Sequence, residues 1–201
     1  PGKHYGRRTG EVDMRLILHS CCAPCTTYSL DVLREEGHDI MGFFYNPNIH
    51  PYTEFQNRLG AYRDFIELKG LEAIVDDSYG LRAFMDQVYK LKGHASRCET
   101  CYRMRLLRTA LLAKEKGYDA FTTTLTISPY QNHDLIKSVG AMVSEEVGVP
   151  FVYYDFRDGY RKSIELSKEL ELYRQKYCGC IFSEEERYSP EFRKKKAKTA
   201  V

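Results

Sequence analysis

What most constrains this chain is the regular alternation of short apolar runs with stretches of helical spacing. Residues 16–18, 40–45, 71–75, 120–126 and 149–156 read as strands. Residues 26–36, 53–69, 81–92, 99–116, 134–147 and 162–177 carry helical patterns between and after them, and Gly37, Gly70 and Gly117 stand just past three of the ends. In the second of these helices Phe55, Leu59, Tyr62, Phe65 and Ile66 fall on one side. Strand, helix, strand repeated in this way is the sequence form of a parallel sheet covered on both faces. With right-handed crossovers it predicts an α/β, Rossmann-like doubly wound fold, mostly parallel, of about five strands. Sites in such folds lie in loops at the carboxyl edge of the strands. Residues 20–25, 46–52 and 128–134 occupy three such loops.

No internal repeat, low-complexity tract or linker divides the sequence, so residues 14–190 are expected to form one domain. Residues 1–13 are polar with no apolar stretch behind them, which is not a secretory signal; they read as a disordered arm or a non-native remnant preceding Met14. Residues 191–201 form a basic tail, with Arg193, Lys194, Lys195, Lys196 and Lys198 against Glu191 alone. That tail is either a solvated terminus or a phosphate contact. No apolar run approaches the length of a membrane span, so no membrane partner is expected.

Seven cysteines fall into three clusters: Cys21, Cys22 and Cys25; Cys98 and Cys101; Cys178 and Cys180. An odd number does not fit a fully paired disulfide framework, and a chain of 201 residues needs none for stability. Close-spaced thiols here read as metal ligands or redox groups in a reducing, cytoplasmic compartment. Cys22-x-x-Cys25 and Cys98-x-x-Cys101 have half-site spacing near expected helix starts, where amide groups and the helix dipole favour thiolates. A four-cysteine zinc ribbon places its pairs roughly 15–20 residues apart, far less than the gap here. Iron–sulfur ligation accommodates distant segments and more than four candidates. The pattern leaves three chemistries open: iron–sulfur, zinc, and metal-free thiol–disulfide exchange. A disulfide across Cys178-Gly179-Cys180 would close a very small ring, the labile kind that takes part in redox chemistry. The first loop, His19 to Cys25, lacks a phosphate-cradling glycine turn and carries Pro24, which argues against ATP or NAD there.

Six co-linear segments carry a family resemblance: HSCCAPC (19–25), YNPNIHP (45–51), RCETCYRMRL (97–106), TTTLTISPYQNHDLI (122–136), DFRDGYR (155–161) and YRQKYCGCIFSEEERY (173–188). Together they resemble the cobalamin-independent epoxyqueuosine reductase family, the QueH type, over about residues 14–190. The resemblance implies an oxidoreductase that removes the epoxide oxygen of epoxyqueuosine in the anticodon loop of tRNA, leaving queuosine. It implies a 4Fe–4S cluster and a second bound metal, taken as a mononuclear iron. Carried over by position, the cluster ligands fall on Cys21, Cys22, Cys98 and Cys101, and the redox-active pair on Cys178 and Cys180. The division of Cys21, Cys22 and Cys25 between cluster and second metal stays open.

Protons are expected from the loop after the fourth strand, with His133 and Asp134 as general acids beside Tyr130 and Asn132; a helix cap at Asp134 and a surface His133 are the alternative. Asp76 and Asp77 are rival oxygen ligands, and Asp155 and Arg157 either position substrate or pair with each other. The partners implied are the tRNA anticodon stem-loop and an electron donor. Arg97, Arg103, Arg105 and Arg108 add local positive charge for phosphates, and Tyr45, Tyr52 and Tyr130 offer stacking surfaces. Two other classes compete: a metal-free thiol–disulfide oxidoreductase, and a zinc-stabilised RNA-binding module.

Overall fold

The computed structural model describes residues 14–91 and 93–192 of the chain. Residues 1–13 and most of the basic tail therefore lie outside the described residues.

Four parallel strands form one sheet in the order β3-β2-β1-β4. They are β1 (Arg15–His19), β2 (Asp39–Phe44), β3 (Ala73–Val75) and β4 (Ala120–Thr123). Among the described residues the α-helices that accompany them are α1 (Ala23–Glu35), α2 (Tyr52–Lys69), α3 (Leu81–Val88), α4 (His94–Lys116), α5 (His133–Val147), α6 (Tyr160–Glu169) and α7 (Ile181–Tyr188). The side-chain period of two in β1 sends Ile17 to one face and Leu16 and Leu18 to the other. Ile17 meets Leu106 and Ala110 of α4 and Ile136, Val139 and Val143 of α5. Leu16 and Leu18 meet Leu30 and Leu33 of α1 and Phe65 of α2. Both faces are buried, which is why these strands read as unbroken apolar runs.

The strand count is four rather than five. Residues 149–156 contribute one bridge, Phe151 against Phe121, closed by Phe121 N to the Pro150 carbonyl at 3.0 Å and Val152 N to the Phe121 carbonyl at 2.9 Å. The ladder cannot extend because β4 ends at Thr123 and the chain tightens into a 3-10 turn, Thr124–Ile127. The Thr123 carbonyl accepts the Thr126 hydroxyl instead of a strand neighbour.

The expected last helix, residues 162–177, is also corrected. α6 stops at Glu169 in a Schellman arrangement: Leu172 N bonds the Ser167 carbonyl at 2.9 Å, Glu171 N the Lys168 carbonyl at 3.0 Å, and Glu171 sits at φ 52°. Leu170 and Leu172 turn back onto the core, and that burial ends the helix. Residues 170–180 then run as an irregular strap to α7, an element the sequence pattern did not give. α4 begins at His94 rather than at residue 99, so the helix carries Cys98 as well as Cys101.

The strand order reverses beside β1, since β2 and β3 lie on one side and β4 on the other. The crevice at that switch point lies between the loop after β1 and the turn after β4. His19, at the end of β1 and fully buried, pins the edge: Nδ1 bonds Thr123 Oγ1 at 2.9 Å and Nε2 bonds the Tyr45 carbonyl at 3.2 Å. That places both loops on one rim.

Candidate functional site

All seven cysteines are free thiols, and they gather into two groups. The first is Cys21, Cys22 and Cys25, whose sulfur atoms all lie within 4.8 Å of one another. Local sequence explains the convergence. Cys22 is the N-cap of α1 in extended conformation, and Pro24 occupies the first turn, where its missing N–H is no loss. Cys25 stands one turn along and points back toward Cys21, whose amide bonds Thr124 Oγ1 at 3.2 Å across the switch point. The Thr124 hydroxyl in turn lies 3.4 Å from Cys21 Sγ.

Hydrogen bonds from Cys22 and Cys25 hold the Cys21 thiol well below its ordinary pKa. Burial pushes Cys22 up, and the bonds it and Cys21 make push Cys25 up. The three thiols form one hydrogen-bonded unit in which Cys21 is held low and Cys22 and Cys25 are held high. Gln175 from the strap adds an amide donor, 2.9 Å from Cys22 Sγ and 3.6 Å from Cys25 Sγ. The Gln175 carbonyl oxygen is buried without a partner.

The second group is Cys98, Cys101, Cys178 and Cys180, which line a cavity of about 30 Å³ together with Arg105 and Gln131. Cys98 and Cys101 lie one turn or more inside α4, on one helix face at i, i+3. The expected benefit of a helix start is therefore absent. Burial, then Cys178 and Cys180, push Cys98 up to about 11; burial pushes Cys101 up to about 12, against the pull of Arg105. Cys178 is exposed and accepts from Gln131 Nε2 at 3.3 Å, while Cys180 caps α7, its sulfur taking Ser183 N at 3.4 Å.

Arg105 joins the two groups. It is 1% exposed, donating Nε to the Cys101 carbonyl and Nη2 to Cys101 Sγ, each at 3.1 Å. Burial works against its charge, while Cys101, Cys178 and Cys21 sustain it, so one guanidinium faces thiols of both groups. Burial, followed by Arg105, lowers His19 to about 4 and keeps it neutral.

Arg105 is thus no phosphate contact. Neither are its neighbours free cations: Arg103 is bidentate to Glu146 at 2.7 and 3.1 Å, and Arg97 lies 3.7 Å from Glu186 and over the Phe182 ring. Arg108 alone of the four is exposed.

His133 is buried, with Nδ1 2.7 Å from the Tyr153 hydroxyl and Nε2 3.0 Å from the Ser128 carbonyl. Asp134 is exposed in the first turn of α5, and Asn132, not Asp134, caps that helix. Asp77 pairs with Arg63 at 2.7 Å, Asp76 bonds Ser78, and Asp155 pairs with Arg157. Tyr45 stacks on Phe43, whereas Tyr52 and Tyr130 are exposed, Tyr130 by 84%.

Sequence reasoning missed Arg58, Gln131, Gln175 and His94. His94 stands one turn before Cys98, 3.6 Å from its sulfur, and the spacing H-x-x-x-C-x-x-C was a readable signal. The glutamines had none.

The first group suits a thiophilic metal or cluster. Its donors are soft sulfurs already drawn together, the Cys21 thiol is held well below its ordinary pKa, and a buried unpartnered amide oxygen lies beside them. No described helix is long and apolar enough to cross a membrane.

The structure is similar, at a TM-score of 0.54 and 16% identity, to the U34-tRNA thiolase NcsA from Methanococcus maripaludis with its [4Fe-4S] cluster, over 96% of this chain and 67% of that one. At that identity the likeness speaks for the Rossmann-like fold. Sequence comparison goes further. The chain is 43% identical to the epoxyqueuosine reductase QueH of Dehalococcoides mccartyi over 175 residues, covering 87% of this chain and 94% of the relative. It is 38% identical to that of Thermotoga maritima (84% and 89%) and 35% identical to that of Staphylococcus epidermidis (84% and 76%). The family model described as epoxyqueuosine reductase QueH matches residues 16–186. By that match and those relatives, this chain belongs to the epoxyqueuosine reductase QueH family.

Proposed function

We propose that this chain reduces epoxyqueuosine to queuosine in the anticodon loop of tRNA, acting in the cytoplasm. The observation that carries the reading is the family match across residues 16–186, which spans all three cysteine segments. The gathering of seven free thiols at one rim of the sheet supports it.

The reaction adds two electrons and two protons to the epoxide, breaks both C–O bonds and leaves an alkene and water. Oxidation of two thiols to a disulfide releases two electrons and two protons, so one Cys178–Cys180 turnover balances one epoxide. An external reductant then restores the dithiol. A 4Fe–4S cluster would take its four thiolates from Cys21, Cys22, Cys98 and Cys101, and Cys25, which shares the first group, would be the further thiol open to a second metal. When bound, the cluster supplies single electrons at low potential. The two thiol groups together offer more donors than one cluster needs, which leaves a place for a second, mononuclear iron.

The chain's own residues prepare the site. Arg105 offsets negative charge on both thiol groups. Gln131 holds Cys178 by its sulfur and is itself bonded to the Tyr102 hydroxyl at 2.6 Å. Proton delivery is assigned to the same loop, where His133 and Asp134 stand two and three residues after Gln131. Tyr130, adjacent and exposed, offers a stacking face for an unstacked loop base.

The deciding experiment is anaerobic incubation of the purified protein with epoxyqueuosine tRNA and a low-potential reductant, followed by nucleoside mass analysis. Queuosine formation is the expected result. Unchanged epoxyqueuosine, in protein holding iron and sulfide, would sink the proposal. More than four irons per chain is expected if the second metal is present.

A further inference from the structure

Arg58 is a second buried cation, 2% exposed, on α2 and distant in sequence from every cysteine segment. Its guanidinium is fully committed. Nε donates to Glu54 Oε1 at 2.7 Å, Nη1 to the Cys178 carbonyl at 3.0 Å, and Nη2 to the Tyr177 carbonyl at 3.0 Å. Nη2 also lies 2.7 Å from Glu54 Oε1. The other Glu54 oxygen accepts the Tyr173 hydroxyl. One ion pair on α2 therefore holds the strap at two points, residue 173 through Glu54 and residues 177–178 through Arg58.

The strap is also held by the loop after β2. His50 N donates to the Gly179 carbonyl at 2.8 Å, and the Tyr177 hydroxyl bonds the His50 carbonyl at 2.5 Å. Gly179 sits at φ +136°, and a Cβ there would stand 3.2 Å from Arg58 Nη1 and 3.3 Å from Ile49 Cγ1. The backbone around the dithiol is thus gripped by α2 and by the loop after β2, while the Cys178 side chain is exposed and takes a bond from Gln131.

A buried, fully bonded ion pair adds little net stability over an apolar replacement, so stability alone does not account for this one. A planar fork that spans two consecutive carbonyls and a carboxylate fixes a backbone in a way that a lysine point charge cannot. We infer that Arg58, held in register by Glu54, is the positioning residue of the Cys178-Gly179-Cys180 dithiol. Its grip on two successive carbonyls sets how both sulfurs face the cavity beside Cys98 and Cys101. The consequence for turnover rests on the reading that this dithiol is redox-active.

The test uses anaerobically purified holoenzyme and the variants Arg58→Lys and Glu54→Gln. The equilibrium of the Cys178–Cys180 couple with glutathione is read by site-resolved thiol trapping and mass spectrometry. In Arg58→Lys this equilibrium is expected to shift by about tenfold. With tRNA substrate, kcat is expected to fall by about 100-fold while KM stays within about twofold, because the dithiol is displaced and the tRNA contacts are not. Glu54→Gln should shift both in the same direction by less. An Arg58→Lys holoenzyme with parental dithiol equilibrium and parental kcat overturns the inference. If that variant does not fold, an unshifted equilibrium in Glu54→Gln overturns it instead. Full activity of Cys180→Ser would remove the redox role of the dithiol, and the glutathione titration would still judge whether Arg58 sets its geometry.

Discussion

Individual residues in this site are defined by what surrounds them, and the thiols show it most clearly. Seven side chains of one type differ because Cys21 receives two S–H bonds, Cys98 and Cys101 are desolvated, and Cys178 faces solvent. Arg105 is the main counterweight to desolvation at Cys101. Its replacement by Met should slow iodoacetamide alkylation of Cys101 in metal-free protein by about tenfold, since a thiol pKa raised by one unit holds a tenth of the thiolate. An unchanged rate would show that Arg105 does not act on this sulfur. Cys180→Ser should retain iron and lose multiple-turnover activity by at least about 100-fold; full turnover would exclude the dithiol from the reaction. The cysteine clusters were legible from spacing alone. The arginines were not, because a basic residue on a helix looks the same in sequence whether it faces phosphate or a buried sulfur.

Among the elements, strands and helices follow the apolar pattern closely, and the departures occur where local bonding competes with it. β4 was expected to run to residue 126, but Thr123–Thr126 satisfy one another in a 3-10 turn and forfeit the ladder. α6 was expected to reach residue 177, but burial of Leu170 and Leu172 ends it at Glu169, with Glu171 turning the chain. Because Glu171 adopts a left-handed conformation, Glu171→Gly should stabilise the protein by about 0.5–1 kcal/mol, read as a higher urea midpoint. A lower midpoint would mean that the side chain carries a compensating contact. Gly140 on α5 shows the reverse. A Cβ there would stand 2.1 Å from the Phe151 ring, so Gly140→Ala should cost about 1–3 kcal/mol by overpacking. A thermal midpoint equal to the parent's would show that Phe151 moves aside freely.

The whole molecule responds to pH and salt through groups that the fold buries or leaves out. Burial pushes the fully buried His50 down to about 4. Its folded pKa lies below its unfolded value near 6.5, so the unfolded chain binds the proton first. The stability from keeping His50 neutral is complete above about pH 6.5 and is lost as pH falls toward about 4, on the order of 3 kcal/mol in total. Urea unfolding at pH 7 and pH 4.5 should show a smaller drop for His50→Phe than for the parent; equal drops would defeat this account. Anticodon stem-loop binding should weaken with salt, with a log–log slope of about −0.7 per phosphate contact. A flat response would remove the phosphate-contact part of the reading.

By itself, the sequence determined the α/β class, the parallel sheet, the thiol inventory and the family, because periodicity and spacing are local properties repeated along the chain. Only the tertiary structure decided that Cys178 and Cys180 meet Cys98 and Cys101, that Gln175 reaches Cys22, and that Arg58 and Arg105 are buried among the thiol groups. Those pairings join residues up to 153 positions apart, as between Cys22 and Gln175. Contacts of that range follow from how strand order and crossovers bring loops to one rim, and no local pattern records it.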